Sequence, residues 1–173
     1  MLLEKETLMN WYVLFVLSNR AVHLVSVLNK REKVKAFIPQ YEYYRRSSKD
    51  YDIKPMFKGY VFVKSELEQN EFNSLLNKLA EEKKGLIKQL ENKDVSALRN
   101  EEIKMFEDLL NQDDVVKMSY AYIENGKAVV YEGPLKTYEN KIVKVDKHNQ
   151  LAYLDLSFMD RKIQVGLKIT DKN

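Results

Sequence analysis

Apolar residues run without a break from Trp11 to Leu17, the pattern of a strand buried on both faces. Ser18-Asn19 then offers a helix start, and Ala21, Leu24, Val25 and Leu28 recur at helical spacing up to Lys30-Arg31-Glu32-Lys33. Val34, Ala36 and Ile38 alternate with Lys35 and Phe37. That alternation predicts a half-buried strand, and Pro39 puts it near a sheet edge. Tyr41, Tyr43, Tyr44, Arg45, Arg46, Ser47, Ser48 and Lys49 make an aromatic and basic hairpin tip, from which residues 54–64 return as the next strand. Within that return, Pro55 presets a bend and Gly59 frees the backbone. The bulky Met56, Phe57 and Tyr60 beside them must be buried or held for a partner.

A second helix is predicted from Phe72, Leu75, Leu76, Leu79 and Ala80, ended by Gly85 and followed by a short strand at Leu86–Leu90. Asn100 reads as the N-cap of a third helix, with Glu101 and Glu102 in its first turn and Ile103, Phe106, Leu109 and Leu110 on its buried face. Asn111-Gln112-Asp113-Asp114 breaks the pattern. Beyond it, β-like runs come at short intervals: Tyr120–Ile123, Ala128–Tyr131, Lys141–Val145, Leu151–Leu156 and Lys162–Val165, divided by turn signals such as Asn125-Gly126 and Gly133-Pro134. Five short strands in about 50 residues predict a small barrel. The chain therefore divides into an α+β domain (9–111), a linker (112–118) and a β-barrel domain (119–173).

Composition narrows the function. The 173 residues hold no cysteine and two histidines, His23 and His148. Disulfides, thiolate metal sites and a cysteine nucleophile are excluded, no metal or other cofactor is expected, and a reducing, cytoplasmic location fits. The run from Trp11 to Leu17 is too short to span a bilayer, so a soluble protein is expected; a monomer with no membrane partner is the expected state. The net charge of +3 is unevenly spread. Residues 1–66 carry 12 Lys/Arg against 7 Asp/Glu, residues 67–124 carry 8 against 13, and residues 125–173 carry 9 against 6. Such charge gives oriented surfaces but only salt-sensitive contact with nucleic acid.

Catalytic signatures are missing: the chain has no Gly-rich phosphate loop, no GxSxG elbow and no HExxH pattern. The acidic pairs Glu81-Glu82, Glu101-Glu102 and Asp113-Asp114 sit where helix surfaces and linkers carry charge, so the chain is not expected to be an enzyme. His23 lies in the first helix as a structural or surface residue. His148, beside Lys147 and near Lys144, reads either as a polar turn or as a nucleic-acid contact, since an imidazole can stack on a base. The set Tyr41, Tyr43, Tyr44, Met56, Phe57 and Tyr60 is denser than a small sheet needs, and part of it is expected to form a protein-binding groove. The tip residues Arg45, Arg46 and Lys49 suit a nucleic-acid backbone.

Trp11-Tyr12-Val13, Phe37-Ile38-Pro39 and Phe57-Lys58-Gly59-Tyr60-Val61-Phe62-Val63, followed by Gly126 through Gly133-Pro134-Leu135 to Ile142, together resemble the NusG family of transcription elongation factors. The third run looks like that family's F-P-G-Y-V pattern and the last stretch like a KOW motif. The resemblance implies an NGN domain, with a four-stranded antiparallel sheet and flanking helices, linked to a KOW domain, a five-stranded SH3-like barrel. It implies that an apolar pocket grips the clamp helices of RNA polymerase. Phe57 and Tyr60 match pocket positions, with Met56, Tyr41 and Tyr43 as neighbours. It also places the basic tip Arg45, Arg46 and Lys49 near the upstream DNA fork. Lys58 departs from the family proline, and Thr137 and Asn140 depart from KOW glycines.

Within the family, Ser119 to Gly126, Glu132 to Lys136 and Lys144 to His148 look most like the LoaP antiterminator paralogs, as does Leu86–Leu90 through Val95–Leu98. That likeness implies a KOW domain binding a nascent RNA hairpin, with Lys136, Lys141, Lys144, Lys147, His148, Arg161 and Lys162 as its candidate surface. Asn149-Gln150 stand where LoaP relatives carry further basic residues. The implied function is antitermination at selected operons, by suppression of pausing and termination. The alternative is a general NusG-type factor whose KOW domain recruits Rho or a ribosomal protein.

Overall fold

The computed structural model describes residues 9–90, 98–155 and 162–172. They form two compact units, each woven from separated stretches: residues 9–38 with 58–90, and residues 39–57 with 98–172.

The first unit carries a four-stranded antiparallel sheet in the order β2-β5-β1-β6. Its strands are β1 (Asn10–Val16), β2 (Val34–Phe37), β5 (Tyr60–Ser65) and β6 (Leu86–Gln89). Two helices accompany it, α1 (Ala21–Leu28) and α2 (Gln69–Lys78). Ser18-Asn19 open a short 3₁₀ turn at Ser18–Arg20, one step before the α-helix itself. The unbroken apolar run of β1 sorts into two faces because side chains alternate along a strand. Tyr12, Leu14 and Val16, with Val61 and Val63 of β5, join Leu24, Leu28, Phe72 and Leu76 in one core. The Tyr12 ring stacks on Phe72 at 4.2 Å, and its hydroxyl donates to the Leu67 carbonyl. The opposite face is aromatic. Trp11, Phe37 and Phe62 meet edge to face at 5.6–6.3 Å, and Phe15 lies 5.1 Å from Tyr60.

At the edge of this sheet, β2 needs protection from strange partners. Asn29, just past α1, supplies it by accepting from the Ala36 N–H (2.7 Å) and donating to the Ala36 carbonyl (2.9 Å). Gly59 takes φ +87°, and its carbonyl accepts from Val16 N–H at 2.8 Å. A Cβ there would lie 3.1 Å from the Val16 carbonyl oxygen, so glycine holds the position whatever residue precedes it.

The second unit contains a three-stranded sheet, β4-β3-β7, and a five-stranded sheet, β10-β11-β12-β8-β9. The first consists of β3 (Gln40–Arg45), β4 (Asp50–Pro55) and β7 (Val115–Val116). Sequence alone had merged residues 54–64 into a single strand. The chain instead leaves the hairpin at Pro55 and re-enters a sheet at Tyr60, with Gly59 at positive φ in the gap. The stretch read as a linker also differs: Val115 and Val116 are buried and pair in parallel with Gln40 and Tyr41. Two β-branched residues in a polar stretch suffice for such a strand once a neighbour offers its edge.

Helix α3 (Asn100–Leu109) begins at the residue expected to cap it, because the cap lies one residue earlier at Arg99, whose backbone N–H donates to Glu102. Ile103 is only half-buried, while Glu102 and Met105 are buried with Phe106 and Leu109. The expected five runs become β8 (Ser119–Glu124), β9 (Lys127–Glu132), β10 (Ile142–Asp146), β11 (Leu151–Asp155) and β12 (Lys162–Ile169). A 3₁₀ stretch, Pro134–Lys141, joins β9 to β10. Gly133 starts it at φ +105°, where a Cβ would come within 2.6 Å of the Ser119 Cα. Thr137 and Asn140 are not among the residues at positive φ, so neither position needs glycine.

Candidate functional site

Two kinds of surface stand out, one aromatic and one cationic. Of the five expected polymerase contacts, Tyr60 belongs to the first unit and Tyr41, Tyr43, Met56 and Phe57 to the second. Burial separates their roles. Tyr41 is 1% exposed and its phenol oxygen accepts from Gln164 Nε2 at 2.8 Å. Phe57 is 4% exposed and packs edge-on against Phe106 of α3 at 6.1 Å. These two shape a surface from beneath and present little area of their own. Tyr43, Met56 and Tyr60 are half-buried. Lys54 Nζ lies 4.2 Å from the Tyr43 ring centre and 5.5 Å from that of Tyr41, giving this aromatic pair a cationic cover. Sequence reasoning missed Phe15, the ring beside Tyr60, because an unbroken apolar run does not reveal which members share a face. It also missed Tyr51 and Ile53, exposed on β4, whose spacing of two was the available signal.

The hairpin tip is less basic than its composition. Arg45 pairs with Asp50 at 3.2 Å and Asp52 at 3.3 Å. The Ser48 hydroxyl donates to Asp50, and this bond, with the Arg45 charge, holds the Asp50 carboxyl below its ordinary value. Arg46 and Lys49 are exposed. They are the cations this tip can offer to a phosphate.

Six of the seven expected RNA contacts lie among the described residues and all six are exposed; Arg161 lies outside them. Lys136 and Lys141 belong to the 3₁₀ stretch, Lys144 to β10, and Lys147 and His148 to the turn after it. Strand register orders them further. Ile142 faces Leu154 and Lys162 faces Asp155, so Lys141 and Lys162 share one end of the β10–β11–β12 strip. Lys147 and His148 occupy the other end, where Asp146 faces Leu151. Five residues of β10 set these ends about 16 Å apart. Asp146 sits among these cations with its carboxyl held low, chiefly by hydrogen bonds from the Asn149 side chain and backbone, then by His148 and Lys144.

Asn149 and Gln150, where relatives carry basic residues, have structural work instead. Asn149 closes the turn on Asp146 through its N–H and side-chain amide. Gln150 takes φ +55°, and its side-chain oxygen accepts from the Tyr51 hydroxyl at 3.2 Å. Among the described residues, no group of three or more His, Asp or Glu side chains is placed to hold a metal ion, and no helix is long and apolar enough to cross a membrane.

Aromatic and cationic surfaces on small sheets are the equipment of a macromolecule-binding protein. A family model described as transcription termination factor nusG matches residues 9–107, more than half of the chain. The chain belongs to the NusG family, whose members are non-enzymatic transcription elongation and termination factors that bind RNA polymerase. A search of the curated proteins finds no match.

Proposed function

We propose that this protein is an antitermination factor of the LoaP type, in which residues 9–111 act as an NGN domain, 112–118 connect, and 119–173 act as a KOW barrel. The NGN domain docks on the polymerase clamp helices with Tyr60, Tyr43 and Met56 as the candidate contacts, while the buried Tyr41 and Phe57 are support within their own unit. The tip cations, Arg46 and Lys49 foremost, meet the upstream DNA fork. The KOW domain holds a hairpin of the nascent RNA along its cationic strip. The protein works by positioning: bound to the elongating polymerase, it shifts the clamp away from paused states, and the RNA contact selects the operon.

The observation that supports the RNA arm is the strip itself, with Lys141, Lys144, Lys147, His148 and Lys162 exposed along about 16 Å of one strand group. Phosphate contacts of this kind position an RNA, while unpaired loop bases give it identity. Asn149 and Gln150, standing where LoaP relatives carry basic residues, favour the second reading, a general NusG-type factor.

Transcription with purified polymerase across an intrinsic terminator tests the proposal, using templates with and without a leader hairpin. Readthrough should rise only where the RNA hairpin is present, and charge reversal at Lys147 and Lys162 together should abolish the rise. Equal effects on all templates, or a requirement for Rho, would turn the assignment to the general factor. On the polymerase side, Tyr60→Ala should weaken polymerase binding about tenfold or more, with the fold intact by circular dichroism. Wild-type affinity in a folded Tyr60→Ala protein would remove Tyr60 from the interface.

A further inference from the structure

The order β10-β11-β12-β8-β9 leaves β9 and β10 as the two edges of the five-stranded sheet. Both edges border the same groove of about 660 Å³, lined by Ile123, Lys127, Ala128, Ile142, Val143 and Lys144 among others. Two facts show what such an edge can take. First, Val130 N–H of β9 donates to Glu139 Oε2 at 2.9 Å, so it points away from β8 and already draws an acceptor from within the chain. By the two-residue period, Ala128 N–H points the same way, into the groove. Second, the β10–β11 register skips Val143, and this bulged residue is 49% exposed and lines the groove together with Ile123, 45% exposed. The walls are thus aliphatic and the borders are strand backbone.

Charge narrows the occupant. Lys127 and Lys144 supply two positive charges against the single carboxylate in the lining, Glu139, which is held at the Val130 N–H, so the groove keeps a net positive charge. No aromatic ring lines the groove, so nothing there can stack a base, the usual means of holding single-stranded RNA. We propose that the groove between β9 and β10 receives an extended segment of a partner protein, acidic residues alternating with aliphatic ones, as an added strand. Backbone pairing to the edges supplies affinity, Ile123 and Val143 take the aliphatic side chains, and Lys127 and Lys144 meet the acidic ones. With β10 about 16 Å long, about five residues of the partner would be held. This goes beyond the RNA reading and shares only Lys144 with it, so the test leaves that residue alone.

The probe is a blocked peptide of about seven residues alternating glutamate with valine, titrated into the isotope-labelled full chain. Amide signals of 127–130 and 142–146 should shift, and exchange of the Ala128 amide should slow. Val143→Glu, a change at an exposed site, should abolish these effects. Lys127→Glu should weaken binding about threefold to fivefold, as expected for one rim charge, and provides the answer if the first variant fails to fold. A matching peptide alternating lysine with valine should bind more weakly than the acidic one. The proposal is overturned if the acidic peptide leaves these amides unmoved, if neither variant changes its binding, or if the lysine peptide binds as well. It is also overturned if an RNA hairpin shifts the groove amides while the peptide does not.

Discussion

Tyr138 shows how one side chain can report on a contact between distant parts of the chain. It lies in the 3₁₀ stretch before β10, and its hydroxyl donates to Asp108 near the end of α3. Burial, then the hydrogen bond and charge of Asp108, push the phenol up to about 12 from its ordinary 10. The same bond, helped by Lys104, holds the Asp108 carboxyl below its ordinary value. A phenol whose folded pKa is raised contributes stability below pH 10 that is lost as pH climbs from 10 to about 12. A carboxyl whose folded pKa is depressed contributes stability above its ordinary 3.8 that is lost as pH falls through the lowered value. Asp108→Asn should therefore bring the Tyr138 midpoint back toward 10, read from tyrosinate absorbance. An unmoved midpoint would mean that burial alone sets it.

Among elements, the edge strands carry the most information about design. The first unit covers β2 with a single side chain, Asn29, which makes both hydrogen bonds that a neighbouring strand would make to Ala36. Asn29→Ala removes two neutral hydrogen bonds and should cost about 1–2 kcal/mol by urea denaturation. Faster amide exchange should be confined to β2. Uniform acceleration across β1 and β5 would show that Asn29 supports the whole sheet instead. In the five-stranded sheet, by contrast, Glu139 covers one β9 amide and the groove beside it stays open. That difference makes β9 and β10 the pair suited to a partner strand.

The same contrast holds for the whole molecule, where linear order and compact units do not coincide. Residues 39–57 belong to the unit that holds the five-stranded sheet. Glu42 accepts from the Met118 N–H at 2.9 Å and pairs with Lys117 at 3.0 Å. Gln164 reaches Tyr41, and Tyr51 reaches Gln150. A chain cut down to 119–173 loses all of these together with β7. Its β12 amides should exchange faster, and it should melt at a lower temperature, than the same strands in the full protein. Equal protection would show that the barrel stands alone and that these contacts are incidental.

Local chemistry was legible where it acts over a few residues. The alternation of Val34 to Ile38, the helical spacing of Phe72 to Leu79 and the turn residues between 119 and 165 each marked an element, since burial of one face imposes its period on the sequence. The family followed from motifs whose glycines have fixed jobs: Gly59 against the Val16 carbonyl and Gly133 against Ser119. What sequence could not reveal depends on partners far along the chain. Val115-Val116 became a strand because β3 offered an edge, Tyr41 became core because Gln164 met its hydroxyl, and Arg45 was neutralised across the hairpin by Asp50 and Asp52. The sequence by itself determined the helices, most of the strands, their order and the family, but not the break between β4 and β5 or the strand β7. Only the tertiary structure decided which aromatic rings are support, which cations remain exposed and which strand edges are open, because burial and pairing at each of those positions are set by residues distant in the chain.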